Sequence, residues 1–273
     1  MYKEFYSLRE DPFNVTADPD FFFSSSRHME AFSHLLYGIK QRKGIIVITG
    51  EIGTGKTILC RTLLNRLDPS IKTALILNPS FSATQLLQII IKDLGIEGDL
   101  KNKFALINAL NMFLLEETSQ GNNVVIIIDE AQNLGVRQLE QIRLLSNLET
   151  EKEKLLQIIL VGQPELCEKL KLSSLRQLNQ RITVRYHMMP LDRNELRDYI
   201  AHRLKVAEQP SSNHQNRVRF TERAVDLIYE KSRGTPRMVN ILCDRALLAG
   251  YIAETHTVDE QIIQRSVEEV VFA

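Results

Sequence analysis

The run GEIGTGKT, residues 50 to 57, sets Gly50, Gly55, Lys56 and Thr57 in the spacing G-x-x-x-x-G-K-[ST], whose chemistry is phosphate binding. Glycines let the backbone curl until its N–H groups point at phosphate oxygens. A following helix N-terminus adds partial positive charge, and Lys56 reaches the β- and γ-phosphates. Thr57 offers a hydroxyl that can ligate Mg2+. The loop residues Glu51, Ile52, Gly53 and Thr54, with Ile58 just beyond, complete the cradle. The expected ligand is a nucleotide's phosphates with Mg2+.

A second run, VVIIIDEAQNL, is an apolar strand that ends in Asp129 and Glu130. Buried strands rarely end in two carboxylates without a partner charge. Asp129 would hold Mg2+, directly or through water, and Glu130 would orient and activate the water that attacks the γ-phosphate. Together the two runs predict hydrolysis rather than binding alone. In the later run LVGQPEL, Gln163 follows a further apolar strand. It is either a polar side chain placed to touch the γ-phosphate or the attacking water, or the start of a turn into a helix with Pro164 at its first position.

These groups need a frame. Short apolar strands at 45–49, 73–77, 124–128, 157–161 and 182–186 alternate with helical patterns, which predicts a parallel sheet flanked by helices. The strand that ends at Gly162 would run beside the one that feeds the glycine loop. From residue 191 the pattern is helical, near 194–207, 221–232, 236–253 and 259–271, broken by QPSSNHQN and RGTP. That predicts two domains, 1–190 for nucleotide binding and 191–273 as a small all-helical one.

Composition narrows the classes. The 273 residues, 44% hydrophobic and 25% charged, suffice for a full core. Lys and Arg number 34 and Asp and Glu number 34, so no overall charge draws the chain to nucleic acid or an anionic membrane. Cys60, Cys167 and Cys243 lie far apart and form no CxxC, which indicates neither a disulfide framework nor a zinc site and points to a reducing compartment. The N-terminus MYKEFYSLRED is charged and aromatic, and nowhere do about 18 apolar residues run together. A soluble chain is expected.

Six ordered stretches carry a resemblance: DPFNVTADPDFFFSSSRHMEAFSHLLYGI, GEIGTGKT, IIIDEAQNL, LVGQPEL, LRQLNQRITVRYHMMPL and GTPRMVNILCDRAL. Through them the chain resembles the AAA+ ATPases, and among these the general secretion pathway protein A group. That group also includes the ATPase of mannose-sensitive pilus biogenesis and ATPases of exopolysaccharide and exosortase loci. The resemblance implies an AAA+ core followed by a helical lid. It places Pro12 and Phe13 in a segment that closes over adenine, although packing of a loop aromatic accounts for Phe13 as well. It assigns Arg237 of GTPR to the sensor that contacts the γ-phosphate within one subunit. Arg181 and Arg176, ahead of the last strand, fall where an arginine finger reaches the neighbouring subunit's ATP. Arg185 lies within that strand, where packing or the interface would use it.

What the resemblance implies for biology is an ATP-dependent homo-oligomer, with a hexamer among the options. It would work in the cytoplasm, at the inner face of the membrane, with an envelope-assembly protein as partner. Longer members continue into a membrane span and a periplasmic peptidoglycan-binding region, whereas this chain stops at Ala273. A short soluble member and the cytoplasmic part of a longer protein both stay open. The alternative is a DNA-binding AAA+ regulator of the transposition type, favoured by residues 171–205, which hold eight basic residues against three acidic ones. Neutral overall charge and the lack of a recognisable helix-turn-helix or basic tail count against it. A nucleotide switch too slow to be a motor is the third reading.

Overall fold

The computed structural model describes residues 2–98, 102–151, 153–210 and 217–271. Numbered along the chain, the strands are β1 (Ile45–Gly50), β2 (Ile71–Ile76), β3 (Asn123–Ile128), β4 (Gln157–Gly162), β5 (Ile182–Met188), β6 (Arg219–Phe220) and β7 (Thr257–Val258). The helices are α1 (Tyr2–Phe5), α2 (Ser26–Lys40), α3 (Lys56–Arg66), α4 (Ala83–Asp93), α5 (Lys103–Ser119), α6 (Val136–Leu145), α7 (Pro164–Leu170) and α8 (Arg176–Arg181). They continue with α9 (Arg193–Ala207), α10 (Glu222–Ser232), α11 (Pro236–Ile252) and α12 (Glu260–Val271). Two units emerge: a sheet unit of Met29–Glu51 and Leu59–Met188, and a helical unit of Met1–His28, Ile52–Ile58 and Met189–Ala273.

In the sheet unit five parallel strands stand in the order β2-β3-β4-β1-β5. The expected parallel sheet is present, and β4 pairs with β1, Ile48 opposite Val161 and Thr49 opposite Gly162. β1 and β4 are buried along their whole length, and β3 everywhere but at Asn123. With both faces covered, these strands must be apolar without alternation, which is why they read as unbroken runs. The edge strand β5 instead exposes Thr183, Arg185 and His187 in alternation. Because every pairing is parallel, the carboxyl ends of β1, β3 and β4 finish on one edge of the sheet, where open α/β sheets bind ligands.

Helices seal this sheet through capped, periodic segments. Ser82 and Gln85 form a reciprocal cap on α4, and the Asn102 side chain accepts from the Ala105 N–H to start α5. Leu106, Leu110 and Leu114 recur one turn apart on α5 and are each at most 1% exposed, each worth about 1.5–3 kcal/mol on burial. They join Ile126, Ile128 and Leu160 in one core.

The helical unit has its own core, with Tyr6, Phe13, Leu196, Ile200, Val239, Leu247 and Ile263. Asp192 and Glu195 cap α9, Thr221 caps α10, and Pro236 opens α11 at its first turn. The helices expected after residue 191 are there, and β6 and β7 add a two-residue parallel ladder too short to leave a periodic signal. The N-terminal segment packs with these helices: Tyr6 donates to the carbonyls of Leu247 and Thr255, and Arg203 reaches the carbonyls of Pro12 and Asn14. Of the polar break QPSSNHQN, residues 211–216 lie outside the described residues. Among the described residues, no helix is long and apolar enough to cross a membrane.

Candidate functional site

The glycine loop falls in the helical unit from Ile52 to Ile58, while Gly50 and Glu51 close β1 in the sheet unit. Gly53 and Gly55 have φ of +80° and +97°, a region that L side chains rarely adopt. The curl the motif needs is therefore built, and α3 starts at Lys56. Lys56 is 6% exposed and Thr54 1%, Thr57 and Ile58 are half-buried, and Glu51 and Ile52 face solvent.

Two residues support this loop from within the same unit. The Arg237 N–H donates to the Gly53 carbonyl at 3.2 Å, so the first turn of α11, with its partial positive charge, meets the loop. A Cβ on Gly53 would stand 2.6 Å from that of Arg237. On the other side lies His28, 5% exposed, with Nε2 3.2 Å from the Thr54 carbonyl and Nδ1 2.7 Å from the Ser25 hydroxyl. A carbonyl only accepts, so Nε2 carries the proton and Nδ1 accepts from Ser25. Burial pushes the His28 pKa below its ordinary value, partly opposed by the Thr54 carbonyl and the Glu195 charge.

In the sheet unit, β3 delivers Asp129 and Glu130. Asp129 is 2% exposed, and its Oδ1 accepts from the Glu130 N–H at 2.9 Å. Glu130 sits at φ +52°, ψ +38°, a left-handed turn that redirects the chain into the short 3-10 turn Ala131–Asn133. Its Oε2 accepts from Gln132 Nε2 at 2.5 Å and from Gln163 Nε2 at 3.3 Å. Gln163 follows the end of β4 and precedes Pro164 at the start of α7. Gln163 thus leads into a helix with Pro164 at its first position, and its amide touches Glu130.

The arginines part company. Arg176, at the start of α8, and Arg185 face solvent, whereas Arg181, at the end of α8, is half-buried. Arg185 donates to the side chain and carbonyl of Asn179 at 2.6 and 3.1 Å. Much of the positive charge of residues 171–205 is matched locally: Lys171 pairs with Glu168, Arg193 with Glu222 and Asp226, and Arg197 with Asp198. Arg203 is buried against the Phe21 ring at 4.6 Å. Phe13 is 2% exposed and meets Phe220 edge-on at 6.2 Å, within the helical core.

Within the helical unit, Gly53 and Arg237 come together, and within the sheet unit so do Asp129, Glu130 and Gln163. Sequence reasoning passed over His28, Gln132 and Lys169, whose ammonium reaches the carbonyls of Gln132 and Leu134. Gln132 lies inside the quoted run IIIDEAQNL, and His28 inside the first stretch, so the only available signal was position within a motif. Among the described residues no cluster of three or more His, Cys, Asp or Glu could hold a metal. Mg2+ does not require one, since it suits one or two hard oxygen ligands supplemented by phosphates and waters.

A loop of this geometry on a sheet of this order, followed by helices, is the arrangement of P-loop ATPases, and the family model of the AAA domain matches residues 39–170. Solved structures of low identity share the fold. ORC2 of Aeropyrum pernix, in ADPNP-ADP complexes, superposes with TM-score 0.65 at 16% identity, covering 88% of this chain and 66% of that one. Cdc6p of Pyrobaculum aerophilum gives 0.65 at 16%, covering 92% and 70%. The RuvB Holliday junction branch migration motor of Thermotoga maritima gives 0.59 at 16%, covering 90% and 70%. Residues 39–170 thus carry the AAA domain of an ATPase. In sequence the chain is similar to the general secretion pathway protein A of Aeromonas hydrophila, 42% identical over 264 residues, which cover 94% of this chain and 46% of that protein. The chain thus spans about half the length of that relative, and the resemblance read from its six motifs is borne out.

Proposed function

We propose that this ATPase hydrolyses ATP with Mg2+ in a self-assembled ring or spiral that serves a bacterial envelope system for secretion, pilus assembly or polysaccharide export, from the cytoplasmic side. The sequence relative supports the setting. Lys56 and the N–H groups of residues 50–58 bind the phosphates, with the segment of Pro12 and Phe13 on the adenine side. Thr57 and Asp129 would hold Mg2+, which draws charge from the β- and γ-phosphates. Glu130 takes a proton from water as its oxygen bonds to the γ-phosphorus and the bond to the β-phosphate oxygen breaks. Gln163 and Arg237 sense the γ-phosphate, and the helices after residue 190 act as the lid. Arg181, with Arg176, reaches the ATP of the adjacent subunit.

The observation that carries this reading is the loop itself: two glycines held at positive φ, leading directly into a helix that starts at a buried lysine. The test measures particle mass and ATPase rate with Mg-ATP, with ADP and with duplex DNA. We expect multimers with ATP, their loss with ADP, and a rate indifferent to DNA. A monomer that binds ATP without assembling contradicts the machine. Strong stimulation by DNA, steeply weakened by salt, would replace the envelope role with the DNA-regulator one.

A further inference from the structure

Glu130 is a non-glycine residue in a left-handed conformation, which costs about 1–2 kcal/mol unless neighbours hold it. What holds it converges on Gln132. The Gln132 side chain spans two strands: Nε2 donates to Glu130 Oε2 at 2.5 Å, and Oε1 accepts the Gln163 backbone N–H at 3.0 Å. Its backbone is fastened too, since Lys169 on α7 donates to the carbonyls of Gln132 and Leu134 at 2.5 and 2.8 Å. Gly162 is what lets the amide in, because a Cβ there would lie 2.8 Å from Gln132 Oε1 and 3.3 Å from its backbone nitrogen. Gly162 is thus needed for close approach and not for an unusual φ.

The two amides from Gln132 and Gln163 meet on the same carboxylate oxygen. No described residue donates a hydrogen bond to Glu130 Oε1. Neutral amides orient a carboxylate without cancelling its charge, and the free oxygen keeps its lone pairs for a proton.

We propose that Gln132 is the positioning residue for Glu130: by gripping Oε2 and bonding the Gln163 backbone, it fixes the carboxylate so that Oε1 alone receives the proton of the attacking water. This rests on Glu130 being the base. The Gln132 amide is engaged at both ends, Nε2 with Glu130 and Oε1 with the Gln163 N–H, so its effect passes through Glu130.

The test compares Gln132→Met, which keeps length but has no amide, with Gln132→Glu, which keeps an acceptor for the Gln163 N–H but sets a second carboxylate against Glu130. Mg-ATP binding and turnover are measured for each, alone and for Gln132→Met also in a Glu130→Gln background. Gln132→Met should lower kcat by about ten- to a hundredfold, as misplacement of a reacting group does, and leave the nucleotide Kd within about threefold. In the Glu130→Gln background it should cost nothing further, since the two act as a unit. Gln132→Glu, which once ionised cannot donate to Glu130 Oε2, should lower kcat by a similar factor with the nucleotide Kd again within about threefold, a split between turnover and binding that a merely structural role would not produce. A wild-type kcat in Gln132→Met or Gln132→Glu, or an undiminished loss in the Glu130→Gln background, overturns the assignment while Glu130 keeps its role. Wild-type turnover by Glu130→Gln removes the base and the brace together.

Discussion

The backbone N–H of Arg237 donates to the carbonyl of Gly53 at 3.2 Å, joining the first turn of α11 to the phosphate loop. A side chain at residue 53 would have to adopt φ +80° and meet Arg237 Cβ at 2.6 Å. Gly53→Ala should therefore weaken ATP binding at least about tenfold, given a left-handed strain of about 1–2 kcal/mol before any clash. Titration with a fluorescent ATP analogue reads this directly. Unchanged affinity would mean that loop and helix part at no cost.

Gly234 presents a sharper case, because it is stability rather than binding that is at stake. Its φ is +73°, an added Cβ would collide with the Leu191 carbonyl, and its own carbonyl accepts the Leu191 N–H at 2.9 Å. Gly234→Ala should cost about 2–5 kcal/mol, from backbone strain plus overpacking. Denaturant unfolding checks it, and a loss below about 1 kcal/mol would refute the close approach.

His28 makes stability depend on pH. Burial first, against the smaller opposing pull of the Thr54 carbonyl and the Glu195 charge, sets its folded pKa below the ordinary 6.5. As pH falls through that ordinary value, the unfolded chain takes up a proton that the folded chain refuses. The contribution is thus complete above about pH 7 and is lost toward the lower folded pKa. His28→Gln, which keeps a donor for Thr54, should flatten the decline of unfolding free energy as pH falls below the ordinary histidine value of 6.5. An equally steep decline in the variant would assign it to other groups.

Arg181 and Arg185 should behave differently despite their proximity in sequence. Arg185 already bonds Asn179 on the exposed face of β5, so Arg185→Ala should change turnover by no more than an exposed polar contact does, about 0–1 kcal/mol. A finger supplied in trans is worth on the order of 10³ to 10⁵ in rate, and that is the loss expected for Arg181→Ala. Mixing Arg181→Ala with Lys56→Ala should restore hydrolysis, because some sites then combine bound ATP with an intact finger. Folded, co-assembled and still inactive mixtures would end the trans role.

The sheet was legible because its central strands are buried on both faces and so carry no polar interruption, and the loop because three residue types suffice to cradle phosphate. What could not be read joins residues distant in the chain. Gln132 meets the backbone of Gln163, and His28 meets Thr54, contacts set by strand order and by the Glu130 turn rather than by local pattern. The ladder of β6 and β7 escaped for a different reason, since two residues per strand define no period.

ATP binding and turnover, measured side by side on Lys56→Ala and Glu130→Gln, test the central claim most directly. Lys56 meets phosphate in the ground state and Glu130 acts on water in the transition state. Lys56→Ala should lose tight binding, whereas Glu130→Gln should bind within about threefold of the unaltered chain and lose about 10² to 10⁴ in turnover. A folded Glu130→Gln protein that hydrolyses ATP at the unaltered rate, or a Lys56→Ala protein that binds it undiminished, would contradict the account.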